Sequence, residues 1–130
     1  MIPSLERTIT LTDMVAYAGA TWDWHPIHYD AGYVAQAKLP GPVVDGQVLG
    51  ALMAEQLLDH YGPRAFITAL AFRFKNMVYA GDTVRIEAVA GEPEDGRVRV
   101  TQRVLAEDRL AAEGDATVRL AAEGEATVRL

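Results

Sequence analysis

The sequence contains no cysteine, which excludes a disulfide framework, a thiol nucleophile and a thiolate metal site. Long uncharged runs are also missing. No stretch free of Asp, Glu, Lys and Arg exceeds nine residues, too short for a membrane-spanning helix. Basic residues are few, with 12 Lys and Arg against 18 Asp and Glu for a net charge of −6. That balance lacks the basic footprint of non-specific nucleic-acid binding. The opening MIPSLERTIT has no basic stretch followed by an apolar block, so no secretory leader is expected and a cytoplasmic location is.

With 130 residues, half of them hydrophobic, the chain is expected to form one soluble globular domain rather than a disordered segment. Its charge is uneven. Arg64, Arg73, Lys75, Arg85, Arg97, Arg99 and Arg103 outnumber the acidic residues of their segment, which makes it the one basic stripe on an acidic chain. Such a stripe is either a set of solvated strand positions or a seat for a small anionic ligand.

The pattern along the chain predicts a strand over residues 7–11 and a short helix over 12–18 with Thr12 as N-cap. A loop over 19–30 crowds two Trp, two His, a Pro and two Asp together. A second short helix is expected over 31–37, and Leu39-Pro40-Gly41-Pro42 breaks the chain. Residues 46–61 are apolar around most of the helical circumference, as a helix buried on several sides must be. The period then changes to two, and strands are expected over 65–75, 83–90, 97–105 and 116–120. Gly81-Asp82 and Glu94-Asp95-Gly96 read as turns, the second as a hairpin. One apolar helix followed by antiparallel strands implies an α+β domain in which a curved sheet wraps the helix.

The end of the chain is duplicated. Residues 111–120 read AAEGDATVRL and residues 121–130 read AAEGEATVRL. A domain over 1–120 and an added tail over 121–130 are expected, with the first copy pairing as the last strand. Either copy is compatible with that register.

The densest chemistry lies in Asp23-Trp24-His25-Pro26-Ile27-His28-Tyr29-Asp30. Pro26 stiffens the turn, so Asp23 and His28 can converge on one point. A carboxylate and an imidazole sharing a water can activate it and return a proton. The same pair can equally be a local hydrogen bond or cap. His25, His28 and Asp30 form a weak metal pattern, and no metal is expected.

This stretch resembles the hydratase 2 motif of the MaoC-like dehydratases, Asp-x-Asn-Pro-x-His-x-Asp. Residues 39–47, LPGPVVDGQ, are similar to the family segment leading into the central helix. Residues 79–83, YAGDT, are similar to its Gly-Asp turn, and residues 116–120 to its closing strand. The resemblance implies a hotdog fold, a long helix wrapped by an antiparallel sheet. It implies a homodimer or a hetero-oligomer of hotdog subunits, and hydration of trans-2-enoyl thioesters or the reverse dehydration. No cofactor is implied beyond the coenzyme A or phosphopantetheine arm of the substrate. Asp23 and His28 become the water-activating pair, and Gly46 the backbone donor to the thioester oxygen. A helix N-terminus suits that donor, because its N–H groups are free and the dipole is positive there. Losing such a donor typically costs about 3 kcal/mol of barrier.

Two positions depart from the family. His25 replaces its Asn, and an imidazole supplies one hydrogen bond where an amide both donates and accepts. Asp45 stands where the family often has His, and a carboxylate beside a growing enolate is expected to oppose the chemistry unless it is paired or turned away. Trp24, His25, Asp45, Gln47, Arg73 and Lys75 are the expected substrate-binding residues. The rings of Trp22, Trp24 and Tyr29 are candidates for an acyl wall, and the stripe around Arg64, Arg73 and Lys75 for the phosphates of coenzyme A. The rival reading is a non-catalytic or co-catalytic hotdog subunit that shapes a partner's acyl-CoA pocket. A thioesterase on the same fold is a third.

Overall fold

In the computed structural model, which describes residues 1–121, five strands form one antiparallel sheet. The chain runs β1 (Leu5–Thr8), α1 (Leu11–Thr21), a 3-10 turn (Pro26–His28), α2 (Ala31–Gln36), α3 (Gly46–Tyr61), β2 (Ala65–Phe74), β3 (Thr83–Ala90), β4 (Arg97–Ala106) and β5 (Arg109–Leu120). The strand order is β1-β3-β4-β5-β2, so β1 and β2 are the two edges. The sheet wraps α3, as the α+β reading expects. None of the described helices is long and apolar enough to cross a membrane.

The first elements begin differently from the sequence reading. The strand stops at Thr8, and Leu11 opens α1 instead of closing the strand. The cap is Thr10, not Thr12. Its hydroxyl accepts the Asp13 N–H at 3.1 Å, and the Asp13 carboxylate accepts the Thr10 N–H at 2.9 Å. This reciprocal box satisfies two N–H groups that the helix start leaves without partners. Those same bonds hold the Asp13 carboxyl below the usual aspartate range.

Helix α3 buries Leu49, Gly50, Leu52, Met53, Gln56 and Leu57. Against them β4 directs Val98, Val100, Gln102, Val104 and Ala106 inward, with the arginines between them turned outward. Small residues let helix and sheet approach closely. A Cβ on Gly50 would lie 2.5 Å from the Phe72 ring, and one on Gly114 would lie 2.4 Å from the Ala71 carbonyl oxygen. A buried amide relay also crosses the interface. Gln102 donates to the Met53 carbonyl and to Gln56 Oε1, both at 2.9 Å, and Gln56 donates to the carbonyls of Pro3 and Ile86.

The last strand starts seven residues earlier than expected, at Arg109. Its hairpin turn carries no glycine: Glu107 and Asp108 themselves take left-handed backbone angles, φ 48° and 67°. Ala111, Ala112 and Gly114 have little strand propensity, yet both alanines are fully buried in the core and a Cβ on Gly114 would meet Ala71, Phe72 and Met53. The first decapeptide copy therefore pairs centrally between β4 and β2. The second copy, apart from Ala121, lies outside the described residues.

Gly114→Ala is expected to destabilise the domain by about 1–3 kcal/mol, because the added methyl meets backbone rather than a movable side chain. A lowered urea midpoint for Gly114→Ala checks this, and an unchanged one would contradict it.

Candidate active site

The site is built where the turn after α1 meets the start of α3. Trp22 ends α1 in the left-handed region at φ 60°, and the Asp23 N–H donates to the Ala18 carbonyl at 3.0 Å. This sets Asp23 at the head of the loop. Pro26 opens the 3-10 turn, and His25 caps it by accepting the Ile27 N–H at Nδ1, 3.1 Å away. Asp30 then caps α2, accepting the Tyr33 N–H at 3.0 Å. The Tyr29 hydroxyl donates to the Trp24 carbonyl at 2.7 Å, closing the loop on itself.

Val43 pins this loop to the segment leading into α3. Its N–H donates to the Ile27 carbonyl at 2.9 Å, and its own carbonyl lies 2.7 Å from His28 Nδ1. A carbonyl only accepts, so Nδ1 carries the proton and Nε2 is the nitrogen turned to the site. Nε2 stands 3.9 Å from Asp23 Oδ2 and 3.9 Å from Asp45 Oδ2. These separations exceed a direct hydrogen bond and suit a shared water. The His28 and Asp45 side chains are 15% and 13% exposed, and Asp23 is 47% exposed. Asp45 is also the N-cap of α3, with Oδ1 accepting the Gln47 N–H at 3.0 Å.

The Asp23 carboxyl is held below the usual range. The main cause is the nearby Asp45 side chain, which it shares the site with; the His25 N–H and the two imidazoles add to it. Burial raises the Tyr17 phenol, and the carboxylates of Asp45 and Asp23 add to the rise, so Tyr17 of α1 faces the same acids. One atom from each of Asp23, His28 and Asp45 falls within 4.8 Å of the others. Three donors are fewer than a closed four-ligand metal site needs, and a water or a shared proton fits the same gap.

A 340 Å³ cleft reaches His28 and the first residue of α3, Gly46, and is walled by Leu49, Phe74, Lys75 and Met77. The Phe74 ring lies against Gly46, where a Cβ would come within 2.2 Å of it. As the first residue of the helix, Gly46 has an N–H without an intrahelical acceptor.

The structure thus gathers Asp23, His28, Asp45 and Gly46, with Lys75 on the cleft wall. Other expected site residues stand apart. Trp24 packs edge-to-face on Trp22 and Tyr29 and lines no part of the cleft. His25 borders the pair without lining the cleft, its ring edge-on to both His28 and Tyr33 and its N–H donating to Asp23 at 3.4 Å, and Gln47 contributes its backbone to the cap. Arg73 alternates with Phe72 and Phe74 to the other side of β2, where it pairs with Glu113 at 3.2 Å. Lys75 also lies 3.6 Å from Glu113. Sequence reasoning missed Val43, which acts through its backbone and leaves no side-chain signal. It also missed Tyr17 and Phe74. The alternation Phe72-Arg73-Phe74, set against Gly46 and Gly50 at helical spacing, is the signal that could have found Phe74.

A curved antiparallel sheet around one buried helix, with an acid–imidazole cluster at that helix's N-terminus, defines a hotdog domain. The model of the MaoC like domain family matches residues 2–112, and the chain belongs to that family. It is 33% identical over 88 residues, 67% of its length, to the peroxisomal hydratase-dehydrogenase-epimerase of Saccharomyces cerevisiae, of which it spans only 9%. It is 26% identical over 118 residues to the (R)-specific enoyl-CoA hydratase of Aeromonas caviae, covering 88% of each chain. Among solved structures, the (R)-hydratase of A. caviae superposes with a TM-score of 0.86 at 24% identity, over 92% of this chain and 94% of that one. The ChsH1–ChsH2 complex from Mycobacterium tuberculosis gives the same TM-score at 22% identity, over 92% and 93%.

His25→Asn is expected to keep the turn, since an Asn oxygen can accept the same Ile27 N–H. His25→Ala should destabilise by about 1 kcal/mol. Denaturant midpoints of the two variants separate these outcomes.

Proposed function

We propose that the protein hydrates trans-2-enoyl thioesters, or dehydrates 3-hydroxyacyl thioesters in the reverse direction, with coenzyme A as the most fitting carrier. The observation carrying this reading is that His28 Nε2 faces the Asp23 carboxylate, while His28 and Gly46, the first residue of α3, line one cleft. Asp23 and His28 hold a water between them and remove its proton as its oxygen bonds to the β-carbon. The thioester oxygen lies at the Gly46 N–H, where the helix start stabilises the growing enolate. The same pair supplies the proton taken up at the α-carbon. Lys75, on the cleft wall, is placed to attract an anionic coenzyme A arm. The resident residues carry every step, so the proposal includes no metal or organic cofactor.

The partner in this proposal is a second hotdog chain. The outer edge of β2 pairs with no strand among the described residues, and Phe66 and Phe74 are half exposed along it. A homodimer and a heteromer both satisfy that edge. One observation favours a co-catalytic or non-catalytic subunit as the second reading: the Phe74 ring rests on Gly46, so the amide site is partly covered in the single chain.

Hydration is followed as loss of the conjugated thioester absorbance of crotonyl-CoA and of longer or bulkier trans-2-enoyl-CoA substrates. Asp23→Asn and His28→Ala are each expected to lower kcat by about 10²- to 10⁴-fold. Dialysis against a chelator is expected to leave the rate unchanged. Wild-type rates in both variants would contradict the assignment.

A further inference from the structure

We propose that Asp82 is a positioning residue for His28. Through the turn it closes, it holds the Val43 carbonyl where that carbonyl keeps the imidazole proton on Nδ1 and leaves Nε2 free to take a proton from water. The inference rests on the hydration reading above, and it gives the Gly-Asp turn over residues 79–83 a part in the chemistry.

The turn is a hub of backbone bonds. Asp82 closes it twice: its Oδ2 accepts the Tyr79 N–H at 3.0 Å, and its own N–H donates to the Tyr79 carbonyl at 2.9 Å. Gly81 takes φ 98°, which glycine adopts without strain. Its N–H donates to the Ile9 carbonyl at 2.6 Å, and the Ile9 N–H donates to the Asp82 carbonyl at 3.0 Å. The turn is thereby fixed to the junction of β1 and α1. Arg109, at the start of β5, lies 3.3 Å from the same Asp82 oxygen. The Asp82 side chain is 20% exposed and lines no part of the cleft.

From this hub the restraint reaches His28 in two links. Val43 and Tyr79 stand opposite each other in an antiparallel bridge. On either side of it, the Ala80 N–H donates to the Pro42 carbonyl at 2.9 Å and the Val44 N–H to the Val78 carbonyl at 2.7 Å. Val43 then offers its carbonyl to His28 Nδ1, 2.7 Å away. That bond matters because of what stands across the ring. Nε2 is 3.9 Å from a carboxylate oxygen of Asp23 and 3.9 Å from one of Asp45. Carboxylates attract an N–H, so an imidazole released from Val43 would shift its proton to Nε2 and bond an acid directly. The Nε2 lone pair, the acceptor for the water's proton, would then be gone. A displacement of about 1 Å set up far from the reacting atoms is enough to cost a reaction about a hundredfold.

The test removes the Asp82 oxygen and reads the imidazole. In Asp82→Ala the Tyr79 N–H loses its acceptor. With crotonyl-CoA or a longer enoyl-CoA, kcat is expected to fall about ten- to a hundredfold, with KM within about threefold. Imidazole nitrogen NMR of neutral His28 is expected to show the proton on Nδ1 in the wild type and an added Nε2–H population in Asp82→Ala. Asp82→Asn, whose amide oxygen still accepts from Tyr79, should recover most of the rate and the wild-type tautomer. Arg109→Met removes only the half-exposed ion pair and should leave kcat within about twofold and the tautomer unchanged. A folded Asp82→Ala that keeps the wild-type tautomer overturns the proposal, whatever its kcat or denaturation midpoint, as does one with wild-type kcat. If Asp82→Ala does not fold, Asp82→Glu decides by the same two readouts, because it keeps a charge for Arg109 and misplaces the oxygen at Tyr79. A wild-type protein inactive on every enoyl-CoA would overturn the hydration reading, while the tautomer comparison would still decide whether Asp82 positions His28.

Discussion

The hydrogen bond from His28 Nδ1 to the Val43 carbonyl orients the rest of the site. It fixes the tautomer, and so decides that the free nitrogen faces Asp23 and Asp45 rather than the backbone. Val43 is itself held twice, by its N–H on Ile27 and by its bridge to Tyr79. The neighbouring Val44 N–H donates to the Val78 carbonyl at 2.7 Å. A loop rich in ionisable groups is thereby anchored to the body of the fold through backbone bonds. Chemistry that depends on a proton arriving at one atom needs that rigidity more than it needs further charges.

Helix α3 connects the core to this chemistry. Its middle is packed so closely that Gly50 lies under Phe72, and its first residue, Gly46, lies under Phe74 by the same alternation. The spacing that builds the core thus brings an aromatic ring to the mouth of the site. The N-cap serves two roles as well. Asp45 completes the helix start through one carboxyl oxygen and faces the imidazole with the other.

Much of this was legible in the sequence. Period-3.6 and period-2 patterns separate α3 from the strands, and Pro26 between two histidines marks a stiff, chemically loaded turn. The limits of α1 were not, because Thr10 and Thr12 are both plausible caps and only the partner Asp13 distinguishes them. The first half of β5 escaped because Ala111, Ala112 and Gly114 have little strand propensity, and burial of the alanines with the tight packing at Gly114 is a tertiary constraint that overrides it. In the site, the gathering of Asp23 and His28 followed from spacing and resemblance. The place of Asp45 did not, since a residue next to the amide donor can point toward or away from the imidazole. The basic stripe was read by charge alone. Strand alternation sends Arg73 to the outer face with Glu113, and Lys75, one residue past the end of β2, lines the cleft while its ammonium stays 3.6 Å from the same Glu113.

The most direct measurement is a crystal structure of the protein with a bound 3-hydroxyacyl-CoA or an unreactive analogue. The account predicts the thioester oxygen at hydrogen-bond distance from the Gly46 N–H, and the 3-hydroxyl between Asp23 and His28 Nε2. A ligand bound elsewhere, or one whose hydroxyl turns away from both side chains while its thioester occupies the cleft, would contradict it.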